Sequence, residues 1–202
     1  MIDMPYTTRF EDALRFAAEL HREQTRKGTK TPYLTHLMAV ASLVGEQTDD
    51  EEVVIAALLH DAVEDQGGAK TRQVVAERFG ERVASLVDAC TDTDVEPKPP
   101  WKPRKQAYLA HLADPHTPTE ACLISAADKL HNARSIVADL RAHGSSSLEK
   151  FKGSPSDIRW YYVSVAEILS ARLPKNPLVD ELNRTVETLA ELITEGQTAE
   201  AG

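Results

Sequence analysis

The sequence predicts an all-α protein of about eight to ten helices, and three observations carry that prediction. Apolar residues recur at spacings of three and four along most of the chain, and helix-starting and helix-ending residues separate these runs. No stretch alternates apolar and polar residues as a half-buried strand would. With 202 residues and 42% hydrophobic content the chain can bury one sizeable core, and no composition shift divides it. The expected layout is a single domain over residues 1–195 and a frayed tail, "EGQTAEAG", at the C-terminus.

Thr8 and Glu11 have the spacing of a capping box ahead of Phe10, Ala13, Leu14, Ala17 and Leu20, which places helix one from there to about Arg26. Thr35 can cap a second helix carrying Leu37, Val40, Ala41 and Val44. Asp49 or Asp50 can cap a third, read as running unbroken through Val53 to Asp65 and ending at Gly67-Gly68. Thr71 opens a short helix closed by Gly80, and another follows to about Thr91. "DTDVEPKPPWKPRK", residues 92–105, is too rich in proline for regular structure and reads as the one long loop. Its Lys98, Lys102, Arg104 and Lys105 fit either a lid over an anionic ligand or a solvated connection. Further helices are expected near 104–113, 119–143, 156–173 and 178–194.

Composition narrows the function classes. Acidic residues outnumber Lys and Arg by 32 to 23, a formal charge of -9, so the surface should repel nucleic-acid polymers and anionic membranes, and any phosphate site must be a local basic pocket. No signal-peptide pattern and no apolar run of about 18 residues occurs, which points to the cytoplasm. Cys90 and Cys122 form no CxxC pair, so both read as buried thiols rather than zinc ligands.

The chemistry concentrates in "AALLHDAVEDQGG". On a helical wheel Val53 to Leu59 cover every side, the mark of a buried helix, and His60, Asp61, Glu64 and Asp65 then fall within an arc of roughly 140°. Carboxylates gathered at a buried end need a cation or hydrogen-bond donors, and a divalent metal supplies that compensation. A capped helix end with a salt bridge is the plain alternative. In "EACLISAADKLHNARSIVADL", Asp128 borders the apolar stripe with His131 and Asn132 one turn on, and Arg134 falls inside the apolar arc, where it would face a polar cavity, an anion or an acidic partner. His36, after "TPYLT", is placed to reach a cleft or to cap its helix. Arg26 and Lys27 form a basic end to helix one, suited to phosphate or to the helix dipole.

"RKGTKTPYLTH", "ALLHDAVED" and "ADKLHNARS" occur in the order and spacing that resemble the HD-domain hydrolases of the RelA/SpoT alarmone family, above all the stand-alone small alarmone hydrolases. The likeness spans about residues 7 to 173. It implies a compact HD-domain helical fold with His36, His60, Asp61 and Asp128 as ligands to a metal, normally manganese. Glu64 and Asp65 match the acidic pair that handles the attacking water, and Arg26, Lys27, Asn132 and Arg134 match ligand-contacting positions. Two imidazoles and two carboxylates suit such an ion and leave positions open for water and a phosphate oxygen. Leu37 stands where the family commonly has proline, and one extra residue lies between Arg26 and His36, so the base-binding wall is not carried over. The family's bifunctional members continue into a synthetase domain, and no synthesis activity is expected of this sequence. The expected activity is hydrolysis of the 3′-pyrophosphate of guanosine tetra- or pentaphosphate. The alternatives are an HD phosphohydrolase of other nucleotides (adenosine alarmones, NADPH, nucleoside phosphates) and a non-catalytic nucleotide-binding regulator. In every case the partner is a small nucleotide.

Overall fold

The structure, a computed structural model, describes residues 6–93 and 97–200. Among these residues there are ten α-helices, one short 3₁₀ turn and an isolated bridge between Thr25 and Pro32, as an all-α fold requires. No described helix is long and apolar enough to cross a membrane. The chain divides into two units, residues 1–98 with 118–127 and residues 99–117 with 128–202.

In the first unit α1 spans Thr8–Leu20, α2 Leu34–Gly45, α3 Glu51–Leu58, α4 Ala62–Asp65, α5 Ala69–Phe79 and α6 Glu81–Cys90. Its centre is α3, where Val53 to Leu58 are all buried and which packs on α1, α2 and α6. Full burial of side chains such as Ile55, Leu58 and Leu59 is worth about 1.5–3 kcal/mol each. Asp50 caps α3, its carboxylate accepting the Glu52 amide at 3.0 Å.

Several boundaries differ from expectation for local reasons. The cap of α1 is Thr7, which accepts from the Arg9 amide and donates its hydroxyl to Glu51 at 2.9 Å, so the Thr8/Glu11 box is not used. Helix α1 stops at Leu20, short of Arg26. The chain there reverses through Gly28, whose positive φ of 75° glycine adopts without strain, and the Arg26 amide donates to Thr31 O at 2.8 Å. Thr35 lies inside α2 and donates to Pro32 O. Thr71 lies inside α5 and donates to Gln66 O. Cys122 is buried, but Cys90 is partly exposed.

The second unit contains α7, Trp101–Ala113, and α9, Pro155–Arg172, together with α10, Pro177–Glu200. Helix α8, Thr119–His143, begins in the first unit and continues unbroken into the second. Helix α9 packs on α7 and α10 around Leu112, Leu169, Leu182 and Leu189. It carries a complete capping box, Ser154 with Asp157, and proline at its first position.

The expected loop is shorter than 92–105, because α7 begins at Trp101 and holds Pro103 in its first turn, where a missing N–H leaves no bond unmade. Residues 94–96 of that segment lie outside the described residues, as do the last two of the tail. Helix α10 runs past Thr194 to Glu200, and Gly196 accounts for the close passage there: a Cβ on it would collide with Ser145 Oγ.

Candidate active site

The third helix is not continuous. α3 ends at Leu58, a turn carries Leu59, His60 and Asp61, and the single turn α4 presents Glu64 and Asp65. The wheel that placed all four on one helix face therefore does not apply. At the interruption His60 Nδ1 donates to Ala57 O at 2.8 Å. That bond fixes the tautomer and leaves Nε2 as the ligating nitrogen.

Helix α2 delivers His36, fully buried, with its ring edge-on to that of His60 at 5.3 Å between centroids. Asp61 Oδ2 lies 3.1 Å from His60 Nε2 and 3.8 Å from His36 Nε2. Two imidazole nitrogens and a carboxylate oxygen thus converge inside the first unit. Ligand atoms about 2.0–2.2 Å from one ion sit about 3 Å apart, so this donor set fits a divalent cation. Tyr33 was missed by sequence reasoning: its hydroxyl donates to Asp61 and its ring stands edge-on to His36 at 5.3 Å. "TPYLT" held the only clue, an aromatic residue three before a candidate ligand.

Glu64 is 17% exposed and accepts from the Asp92 amide and from Lys98 Nζ, each at 3.1 Å. Burial, then the neighbouring Asp61 charge, push its carboxyl above the ordinary glutamate value, while Lys98 pulls the other way. Lys98 also lies 3.6 Å from Asp65 Oδ1. The proline-rich segment is thus more than a solvated connection, since one of its lysines serves the acidic pair. Lys102 instead pairs with Asp157 at 2.7 Å, and Lys105 lies over the Tyr161 ring.

In the second unit Asp128 is 6% exposed, and its carboxylate accepts from Lys129 Nζ and Asn132 Nδ2, both at 2.5 Å. Burial works against the Lys129 ammonium, but Asp128, with Tyr161 and Tyr108, outweighs it and holds the lysine well above its usual value. Lys129 therefore stays charged and orients Asp128, a role its place inside "ADKLHN" did not announce. His36, His60 and Asp128 are all buried, and each offers a metal-ligating atom. Arg134 departs from expectation: it is exposed, outside the apolar arc, and pairs with Glu181 of α10. Arg26 lies over the Tyr33 ring at 5.7 Å, and both Arg26 and Lys27 belong to the turn after α1 rather than to its end.

The HD-domain family profile matches residues 13–152, and the chain belongs to the HD-domain family. Within it, the guanosine-3′,5′-bis(diphosphate) 3′-pyrophosphohydrolase MESH1 of Xenopus tropicalis is 38% identical over 128 residues, 62% of this chain and 68% of that protein. The human protein of the same name is 39% identical over 128 residues, again 62% and 68% of the two chains. A solved structure described as a metazoan ortholog of SpoT that hydrolyzes ppGpp aligns with TM-score 0.70 and 29% identity, covering 90% of this chain and 96% of that one. A second, from Listeria monocytogenes EGD-e, aligns with TM-score 0.66 and 29% identity over 77% and 99%.

Proposed function

We propose that this protein is a manganese-dependent hydrolase that removes the 3′-pyrophosphate of guanosine tetra- and pentaphosphate, giving GDP or GTP and pyrophosphate. The observation that carries the reading is the convergence of His36, His60 and Asp61 immediately before an acidic pair whose Glu64 is partly desolvated and raised in pKa. Asp128 is the fourth ligand, by its place in the DKxHN motif, its burial and the donors that fix its carboxylate. The identity of the substrate rests on the named relatives and on the order of the three motifs. Manganese rests on the family resemblance together with the mixed imidazole and carboxylate donors.

A divalent cation held by these four residues supplies Lewis acidity at the attacked phosphate and makes water easier to deprotonate. Glu64 accepts the proton of the attacking water at its carboxylate, and Asp65 orients that water. The attack falls on the phosphorus bonded to the ribose 3′ oxygen. The P–O3′ bond breaks, the ribose oxygen takes a proton from solvent and becomes a hydroxyl, and pyrophosphate leaves whole. Arg26, Lys27 and Asn132 bind the diphosphate through charge and hydrogen bonds, and Arg134 joins them by exchanging Glu181 for phosphate.

Metal analysis tests the assignment. His60→Ala and Asp61→Ala should each lose the metal and the activity while keeping their helical signal. Wild-type metal content and turnover in both variants would make these residues structural only.

A further inference from the structure

The role proposed for Asp65 requires an aimed carboxylate, yet Asp65 ends a four-residue helix and its side chain is 26% exposed. Its Oδ2 accepts from Gln24 Nε2 at 2.8 Å, while Oδ1 faces Lys98, which Glu64 shares. The Gln24 amide is itself held. Its Oε1 faces His21 Nδ1 at 2.6 Å and accepts from Gln66 Nε2 at 2.6 Å. An amide whose oxygen receives two donors can present only its NH₂ to Asp65. The Gln24 backbone is pinned as well, its amide donating to His21 O at 3.0 Å and its carbonyl accepting from Tyr33 N at 2.9 Å.

His21 closes the arrangement. Its ring is 2% exposed and stacks on Tyr33 with centroids 5.5 Å apart. Its Nε2 is buried and has no hydrogen-bond partner among the described residues. A buried nitrogen without a partner costs stability, so what this histidine supplies is the Nδ1 hydrogen bond and the stacked face.

From this network we infer that Gln24, locked by His21 and Gln66, is a positioning residue for the hydrolytic step, holding Asp65 in one orientation beside Glu64. The inference rests on the hydrolase reading above and deepens it. The turn that carries Gln24 also carries Arg26 and Lys27, so one short segment both aims the acid and presents the cations proposed to bind the diphosphate. Nothing in the sequence pattern of residues 21–24 set these two polar side chains apart from a helix end.

The test uses the manganese-loaded chain of residues 1–202, with kcat, KM for guanosine tetraphosphate, metal content and thermal midpoint measured in each variant. Gln24→Met keeps the shape without the hydrogen bonds, and should lower kcat by about tenfold or more with KM and metal content unchanged. His21→Ala should do the same. His21→Asn, which can return a donor near the Nδ1 position, should recover most of the rate. In an Asp65→Asn background Gln24→Met should cost less than about twofold more, because two residues acting through one group are not additive. A full additional loss in that background, a His21→Asn rate no better than that of His21→Ala, or a wild-type kcat in Gln24→Met would overturn the positioning role alone. Absence of turnover in the wild-type protein would overturn the hydrolase reading and this inference with it.

Discussion

Glu64 works between opposing influences. Burial and Asp61 favour its protonated form, and Lys98 at 3.1 Å favours the carboxylate. Because its folded pKa is raised, the contribution of Glu64 to stability in the metal-free protein is present below the ordinary value of 4.5 and lost as pH rises through the folded value. Glu64→Gln should therefore raise the thermal midpoint of metal-free protein at neutral pH while lowering the metal-loaded rate by roughly 10²-fold or more with metal retained. A near wild-type rate in that variant would remove Glu64 from the proton transfer. Lys98→Met takes away the cation that lowers the Glu64 pKa, so the acid limb of the rate profile should move to higher pH. An unmoved limb would disconnect Lys98 from Glu64. At this scale the gathering of His36, His60, Asp61 and Glu64 was legible, and the structure brings these side chains close together. Tyr33, Lys98, Lys129 and Gln24 were not, because their roles come from contacts that no sequence spacing encodes.

Among the elements, α3 best illustrates what periodicity conveys and what it omits. The apolar run Val53–Leu59 announced a buried helix, and those residues are buried. The same run gave no sign that the helix stops at Leu58, since Leu59 is as apolar as the residues before it. Helices marked by strong end signals were read closely: α8 occupies 119–143 as expected, with Gly144 at a φ of 68° after it. The N-terminus of α3 carries its own network of charges. Asp50 is held below its usual pKa, first by its hydrogen bond to Arg82, and Glu52 likewise, first by Arg9 and then by Arg82. Their stabilisation is present above the ordinary values of 3.8 and 4.5 and is lost as pH falls through the lower folded ones. Asp50→Ala should cost about 1 kcal/mol at neutral pH, mostly through the lost cap, since Arg82 is largely exposed. Denaturant melts at pH 7 and pH 3 check this, and the gap between the two proteins should narrow at the lower pH.

For the whole chain, a formal charge of -9 and an anionic substrate are compatible only if cations are concentrated locally. The proposed binding residues supply them: Arg26 and Lys27 lie in the first unit, and Arg134 is carried by α8 in the second. The all-α class and the HD-domain family were readable because helical periodicity and three ordered motifs each span much of the chain. The division into two units was not, since α8 crosses it without a break in pattern. The central claim is metal-dependent release of intact pyrophosphate from the ribose 3′ position. Its most direct test is chromatography of the products from manganese-loaded protein and guanosine tetraphosphate, with a chelated control and GDP as a competing substrate. The account predicts GDP and pyrophosphate in equal amounts, no reaction after chelation and little turnover of GDP. Orthophosphate as the product, or equal turnover of GDP and guanosine tetraphosphate, would contradict it.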